Sequence, residues 1–258
     1  MAFTVCGSVL TGYTPEPGET CVTVPEGVCE IADGVFLGCS MTRILLPGGL
    51  RRIGMRAFYD CTMLTELRVP DSVTELGEGC FGRCTALVSL RLPELLHAVP
   101  DLMCFGCGSL RHVEIPEGVT SVGCCAFRSC RSLEGIRLPD SVTELDFDVF
   151  SGCTRLRELR FPPLVTDIPI GCCLNCTSLE EVRLPDKAER IYKEAFCGCS
   201  ALRTVDFPDD LYTIGLRAFR DCPMLREVTL PSGTLTTHST FDAGVRVWQD
   251  HGRCRSMT

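Results

Sequence analysis

The sequence predicts a single solenoid of the α/β repeat class with a parallel concave β-sheet, and three observations support this. Ten prolines recur with one spacing of 22 residues and then spacings of 23 residues. Apolar residues hold fixed positions before each proline, and a cysteine follows most of them fourteen residues later. Self-similarity at a fixed period of roughly 20–50 residues indicates a protein built by stacking one short unit. The prolines are Pro25, Pro47, Pro70, Pro93, Pro116, Pro139, Pro162, Pro185, Pro208 and Pro231.

Each unit begins with a short strand that ends at the proline. Apolar residues stand three and one positions before it, as Val113 and Ile115 do before Pro116. A spacing of two is typical of a strand with one buried face. Proline donates no ladder hydrogen bond and therefore ends the strand. Strands of successive units are expected to pair in parallel and form one concave sheet.

The second half of each unit predicts an extended segment and a tight turn. An apolar pair lies three and six residues after the proline, for example Val142 and Leu145. An Ala-Phe pair follows in many units, as in Ala126-Phe127, and it is too short to form a stable free helix. We therefore expect one helical or 3-10 turn per unit, facing the core on the convex side.

Two units read LTELRVPDSVTELGEGCFGRC and LRTVDFPDDLYTIGLRAFRDC. They resemble the BspA-like leucine-rich-repeat family, whose units follow the pattern LxxIxLPxxVxxIGxxAFxxC. The resemblance covers about residues 20–235, and the preceding piece FTVCGSVLTGYTPEPGETCVTVPEGV is similar to the family's lead-in unit. It implies a bacterial leucine-rich-repeat solenoid with a parallel concave sheet. It also implies helical or 3-10 turns and extended segments on the convex side.

One domain is predicted over residues 1–258. Residues 1–20 form an N-terminal lead-in or cap, residues 21–231 about ten repeats, and residues 232–258 a C-terminal cap or tail. The repeat is lost after Pro231, and the segment FDAGVRVWQD contains the only tryptophan, Trp248. We interpret this segment as a strand that shields the last coil, or as a partly ordered end.

The chain has 20 cysteines, and nine of them share one repeat position, here called the cysteine column. In-register side chains keep their Cβ atoms near 4.8 Å apart, above the usual ~3.8 Å of a disulfide, so a stack of free thiols is favoured. Free thiols indicate a reducing compartment. The column contains Cys39, Cys61, Cys84, Cys107, Cys130, Cys153, Cys176, Cys199 and Cys222.

No cofactor or metal site is expected. The pairs Cys104/Cys107 and Cys173/Cys176 have zinc-like spacing, but they lie three units, or about 14 Å, apart. A zinc ion with Zn–S bonds of about 2.3 Å cannot join them. The histidines, which include His251, lie in no HExxH motif, and no phosphate-binding glycine loop is present. The sequence therefore contains no catalytic constellation, and we predict a protein that is not an enzyme.

Charge and hydropathy limit the partners and the location. The net charge of −8 disfavours broad nucleic-acid binding, and no apolar run reaches the length of a membrane span. The N-terminus lacks the basic and apolar regions of a secretory signal. Together with the free thiols, this favours a cytoplasmic protein. Because related bacterial and protist proteins are exported, a secreted or cell-surface protein is the alternative.

The outward positions of the concave sheet provide the candidate binding face. Five of six consecutive units place arginine two residues before the proline, a type suited to carboxylates or phosphates. The competing interpretation is a ladder neutralised within each strand, by Glu66, Glu158 and Glu181. Arg91 and Arg137 lack such same-strand acids and are the best candidates for unpaired charge. The candidate residues are Arg68, Arg91, His112, Glu114, Arg137, Arg160 and Arg183.

The favoured hypothesis is a non-enzymatic scaffold that binds an unidentified protein or peptide on the concave sheet, and an acidic partner is the candidate. A monomer or weak dimer is expected, without nucleic-acid binding or membrane insertion. The alternative hypothesis is an exported cell-surface or host-contact adhesin of the BspA-like type.

Overall fold

The computed structural model describes residues 2–250 as a stack of short coils built only from strands and turns. His251 and Cys254 lie outside the described residues. The strands are β1 Ala2–Cys6, β2 Val9–Thr14, β3 Cys21–Thr23, β4 Glu30–Ile31, β5 Arg43–Leu45, β6 Arg52–Ile53, β7 Glu66–Leu67, β8 Glu75–Leu76, β9 Ser89–Arg91, β10 Ala98–Val99, β11 His112–Glu114, β12 Ser121–Val122, β13 Glu144–Leu145, β14 Glu158–Arg160, β15 Asp167–Ile168, β16 Glu181–Arg183, β17 Arg190–Ile191, β18 Thr204–Asp206, β19 Thr213–Ile214, β20 Glu227–Leu230 and β21 Arg246–Gln249.

The strands before the repeat prolines pair in parallel and in register, as the repeat spacing predicts. Val113 of β11 stands opposite Leu90 of β9, and both are buried. The hydrogen-bonded groups are β3–β5–β7, β9–β11, β14–β16–β18 and β20–β21, with a single bridge from Gly135 to Glu158. The outward side of these strands is here called the strand face.

Three junctions on the strand face lack ladder pairing among the described residues. The first gap lies between β7 and β9, the second between β11 and the coil of Gly135, and the third between β18 and β20. Glycine weakens a strand because it offers no side chain to pack, which accounts for the irregular strand at Gly135.

The extended segments after the prolines form a second parallel ladder on a neighbouring face. It contains β2–β4–β6–β8, β10–β12–β13 and β15–β17–β19. At the end of most steps a backbone N–H donates to the preceding coil, as Gly77 does to Ile53 at 2.8 Å. Pro100 and Pro169 occupy this same position after β10 and β15. Proline has no N–H to donate, which explains why the ladder is interrupted at these two steps.

The predicted helical or 3-10 turn is wrong, because residues 2–250 contain no helix. Two positions in each turn have a left-handed backbone, for example Arg56 (φ 52°) and Asp60 (φ 62°). The N–H of Phe58 points to the next coil and donates to the oxygen of Cys80 at 2.8 Å. A helix needs consecutive right-handed residues that bond within one segment. The regular elements are therefore all strands, and the chain is a β-solenoid of leucine-rich-repeat type rather than an α/β repeat.

The core is continuous along the stack and consists of the predicted apolar columns. Phenylalanine rings of neighbouring coils stack in the turn, with centroids 5.1 Å apart for Phe36 and Phe58 and 5.2 Å apart for Phe196 and Phe219. Both rings of each pair are fully buried. One coil cannot bury its own apolar side, so each coil is stabilised by its two neighbours.

The cysteine column makes a repeated hydrogen bond that the sequence did not predict. The thiol of Cys153 donates to the backbone oxygen of Phe127, one coil earlier, at 3.2 Å. The same oxygen accepts the N–H of Cys130 at 3.1 Å, so both its acceptor positions are used. Eight thiols from Cys61 to Cys222 follow this pattern at 3.0–3.2 Å. The thiols therefore link coils through carbonyl groups as well as by packing.

The two ends of the stack differ. An antiparallel hairpin of β1 and β2 covers the first coil, since β2 continues the second ladder into β4. At the other end, β21 pairs in parallel with β20, and all four of its residues are exposed. Leu235 and Phe241 still bridge to the preceding coil. Trp248 therefore lies in a strand that extends the strand face.

Candidate binding face

All seven candidate residues lie exposed on the strand face. The column two residues before each proline carries Arg68, Arg91, Glu114, Arg137, Arg160 and Arg183 in successive coils. In-register pairing of β14 with β16 sets Arg160 beside Arg183. The structure thus brings the predicted side chains onto one surface, where their charges interact.

Arg91 is not a free positive charge, which corrects the sequence-based expectation. Its guanidinium is 2.8 Å from Asp71, 2.7 Å from Glu94 and 3.7 Å from Glu114. Hydrogen bonding to Asp71 and the charge of that carboxylate raise the pKa of Arg91. Asp71 belongs to the preceding coil, so this contact crosses the first gap. Arg91 therefore joins two coils where ladder hydrogen bonds are missing.

Arg137 corrects the same expectation at the second gap. Its guanidinium is 3.4 Å from Glu117, again the residue directly after the proline of the preceding coil. The Arg137 side chain is 84% exposed to solvent, so this ion pair is weak. Arg91 and Arg137 share this arrangement and are here called the gap arginines. Their acidic partners precede them by 20 residues and belong to another coil. The sequence-based search for acids on the same strand therefore did not find them.

The predicted same-strand neutralisation holds for one arginine of three. Arg183 donates to Glu181 at 2.9 Å, and this hydrogen bond raises the pKa of Arg183. Arg68 and Arg160 have no carboxylate oxygen within the 4.0 Å limit of an ion pair among residues 2–250. These two residues, and not the gap arginines, carry the unpaired positive charge of the strand face.

His112 and Glu114 occupy the coil between the two gap arginines. Both side chains point outward from β11. Glu114 is within reach of Arg91 at 3.7 Å, whereas no ion pair joins it to Arg137 within the described residues. This coil therefore interrupts the arginine column with a carboxylate.

A hollow of about 520 Å³ opens on the strand face around three adjacent arginines. It lies between the coils of Pro139 and Pro185, and we call it the middle hollow. Gly135 leaves open space at its edge, because a Cβ at that position would meet nothing within 4 Å. Its charged lining residues are Arg137, Arg160, Arg183, Asp140, Glu158 and Glu181.

A second hollow, of about 590 Å³, lies at the third gap and is here called the C-terminal hollow. Trp248 lines it with 55% of its surface exposed. Trp248 was expected to lie in a cap over the last coil, and the sequence did not predict that it lines a hollow. The feature that indicates this hollow is the register of β21 with β20, which places Trp248 beside Thr229, two residues before Pro231. The carboxylates of Asp206, Asp209, Glu227 and Asp250 line it, and no lysine or arginine of residues 2–250 does.

The histidine, cysteine and acidic residues form no metal-binding cluster in the described part of the chain. No set of three or more histidine, cysteine or acidic residues is placed to hold a metal ion. The 19 described cysteines are all free. Burial raises the pKa of seven column thiols, to about 12 for Cys61 and Cys222, and the seven are Cys39, Cys61, Cys84, Cys130, Cys153, Cys199 and Cys222. Burial disfavours the thiolate, which is the reactive form. The column cysteines are therefore structural.

The sequence profile of the BspA type leucine rich repeat region matches residues 19–134 and 120–242, in six copies. The chain belongs to this family. The matched part contains all the repeat prolines and extends to Asp242. No curated protein sequence matches the chain.

Two solved structures share the fold, and a third is similar at a lower TM-score. A leucine-rich repeat protein of Eubacterium ventriosum is 22% identical, with 92% of this chain and 79% of that protein covered and a TM-score of 0.63. The pneumococcal vaccine antigen PcpA is 19% identical, with 88% and 62% covered and a TM-score of 0.54. A leucine rich cell surface protein of Faecalibacterium prausnitzii is 21% identical, with 97% and 93% covered and a TM-score of 0.49. Among residues 2–250, no helix has the length and hydropathy to cross a bilayer.

Proposed function

We propose that the chain is a non-enzymatic scaffold that binds an acidic peptide segment of a partner protein at the middle hollow. The observation that supports this most directly is Arg160, an exposed guanidinium at the centre of three adjacent arginines with no carboxylate within ion-pair distance. Guanidinium groups pair bidentately with carboxylates, and an extended ligand lying across parallel strands meets one arginine per coil. The ligand binds as a chain segment, with the protein as a monomer or weak dimer.

A labelled hexaglutamate peptide tests this proposal by fluorescence anisotropy. Arg160→Glu should weaken binding at least tenfold, because it removes the unpaired cation and adds a like charge. Arg157→Glu is the matched control, since it makes the same charge change on the same coil at an exposed residue outside the hollow. Binding should also weaken with added salt. Equal loss in both variants, or binding of a hexalysine peptide with similar affinity, would contradict the proposal.

Arg68 provides a second test of the strand face. It lines a smaller hollow of about 400 Å³ on the coil directly before the first gap, also without a carboxylate partner. If the ligand extends along the strand face, Arg68→Glu should weaken a longer acidic peptide but not the hexaglutamate. Loss of both peptides would move the site toward the N-terminal coils.

Family membership favours a second candidate, export and display on a bacterial surface as an adhesin. The free thiols do not exclude this location, because most of the described thiols are buried and therefore shielded from oxidants. A membrane-impermeant maleimide applied to intact native cells separates the two locations. Labelling of the exposed Cys6 and Cys29 without lysis would support display at the surface. Labelling only after lysis would support the cytoplasmic location.

A further inference from the structure

The gap arginines form ion pairs that connect neighbouring coils where the strand face lacks ladder hydrogen bonds. At the first gap, Arg91 reaches back to Asp71, and at the second, Arg137 reaches back to Glu117. Each arginine stands two residues before the proline of its own coil. Each acid stands one residue after the proline of the preceding coil. A guanidinium bound to a carboxylate 20 residues earlier is thus the recurring arrangement at these junctions.

The third gap keeps the acid and lacks the arginine. Asp209 holds the position of Asp71 and Glu117, directly after Pro208. Thr229 holds the position of the gap arginines, and its short side chain leaves the C-terminal hollow open. A carboxylate offers about four acceptor positions, so Asp209 can accept a further donor whatever its other contacts are.

The neighbours of Thr229 along its column complete a slot one coil wide. Asp206 lies on one side, exposed and without an ion pair within 4.0 Å among residues 2–250. Trp248 lies on the other side, in register with Thr229. Because β20 and β21 are ladder partners, a cation above Thr229 sits about 5 Å from the position of Trp248, and Asp206 lines the same hollow from across the third gap. That distance satisfies a cation–π contact, whose limit is about 6 Å from the ring centroid.

The nearest cations among residues 2–250 do not occupy the slot. Arg183 stands beside Asp206 in the register of β16 and β18, but its guanidinium is bonded to Glu181 at 2.9 Å. Arg246 lies two residues before Trp248 and is bonded to Glu227 at 3.1 Å. Neither residue lines the C-terminal hollow.

We propose that the C-terminal hollow binds the guanidinium of an arginine side chain on the partner, above Thr229 and between Asp206 and Trp248. This rests on the proposed function, since it adds a basic anchor to the same peptide ligand. The ligand would then carry acidic residues over the middle hollow and an arginine about three to four coils further along, a distance of roughly 14–19 Å.

The single tryptophan makes this slot directly observable, because Trp248 is the only source of tryptophan fluorescence. The probe is N-acetyl-arginine amide, and the matched control is N-acetyl-citrulline amide, which keeps the shape and lacks the charge. The arginine probe should change the fluorescence saturably at millimolar concentration, and added salt should weaken it. An equal response to the citrulline compound, or no saturable response, would overturn the proposal.

Two variants locate the effect. Asp206→Asn should weaken the arginine probe by about fivefold, the size of one exposed charged contact, whereas Asp186→Asn on the preceding coil should leave it unchanged. Thr229→Arg supplies the guanidinium from the chain itself, as at the other two gaps, and should abolish the response. Undiminished binding in Thr229→Arg would refute the slot. A persistent response in Arg160→Glu separates this site from the middle hollow, so the two proposals fail independently.

Discussion

Cys153→Ser should destabilise the protein more than Cys153→Ala, although serine resembles cysteine more closely in shape. The Cys153 thiol is fully buried and donates to the Phe127 oxygen at 3.2 Å. A C–O bond is shorter than a C–S bond, so a serine hydroxyl in the same rotamer lies beyond 3.2 Å from that oxygen. Good O–H···O bonds need about 2.5–3.0 Å. The hydroxyl is therefore buried without a partner.

The magnitudes follow from these contacts. Alanine loses a group about the size of one methylene and leaves a small cavity, which costs about 1–2 kcal/mol. The Phe127 oxygen stays satisfied, because it still accepts the N–H of Cys130. Serine adds the cost of an unpaired buried hydroxyl, about 1–3 kcal/mol, for a total of about 2–5 kcal/mol.

Urea denaturation followed by circular dichroism measures both variants. Cys6→Ser and Cys6→Ala are the controls, since Cys6 is exposed, and both should stay within about 0.5 kcal/mol of the parent. A serine variant as stable as the alanine variant would show that the thiol–carbonyl geometry does not limit what the column accepts.

Three further predictions follow from the thiols and the turns. Burial raises the pKa of Cys61 and Cys222 to about 12, against about 8.5 in an unfolded chain, so above pH 8.5 the unfolded state loses protons that the folded state keeps. The contribution of these thiols to the free energy of unfolding is therefore complete below pH 8.5, and it falls by about 1.4 kcal/mol per pH unit for each thiol as the pH rises toward 12. A urea midpoint that stays constant between pH 8 and 10 would contradict this. Gly34→Ala should lower the free energy of unfolding by about 1 kcal/mol in the same assay, because Gly34 has a φ of 66°. Gly48→Ala is the control and should be neutral or stabilising, because Gly48 has open space around it and no positive φ. Similar effects of the two substitutions would refute the role of the left-handed turn. Under native conditions a thiol reagent should modify Cys6, Cys21 and Cys29 first and the buried column thiols from Cys61 to Cys222 only on unfolding, which mass spectrometry of the labelled peptides checks.

The repeat spacing predicted the parts of the fold that depend on burial. Residues three before each proline, such as Leu90 and Val182, are buried except for the half-buried Ile136, because each coil presents the same apolar positions to its neighbours. The turn was mispredicted because an Ala-Phe pair fits a helical turn equally well. What decides its conformation is an N–H that bonds to the next coil, as from Phe58 to Cys80, and this partner is not local in sequence.

The candidate face was predicted in position but not in its pairing. Comparison within one strand found Glu181 for Arg183, which the structure confirms at 2.9 Å. It also assigned Glu66 to Arg68, but Glu66 lies 3.5 Å from Arg43 of the preceding coil. Ion pairs between long side chains depend on the separation of neighbouring coils, which varies at the gaps and is not encoded in a uniform spacing of 23 residues.

The interruptions of the two ladders have a consequence for how the molecule opens. Between the coils of Pro70 and Pro93, the pairing of β7 with β9 and of β8 with β10 is absent together, and Pro100 removes one donor. The turns still connect these coils, for example through the N–H of Phe81 and the oxygen of Met103 at 3.0 Å. Because stability in a repeat protein is a sum over neighbouring interfaces, this junction is where sub-global unfolding should begin. Hydrogen exchange would then divide the protein into a short N-terminal unit and a longer C-terminal unit, and both proposed ligand anchors belong to the second.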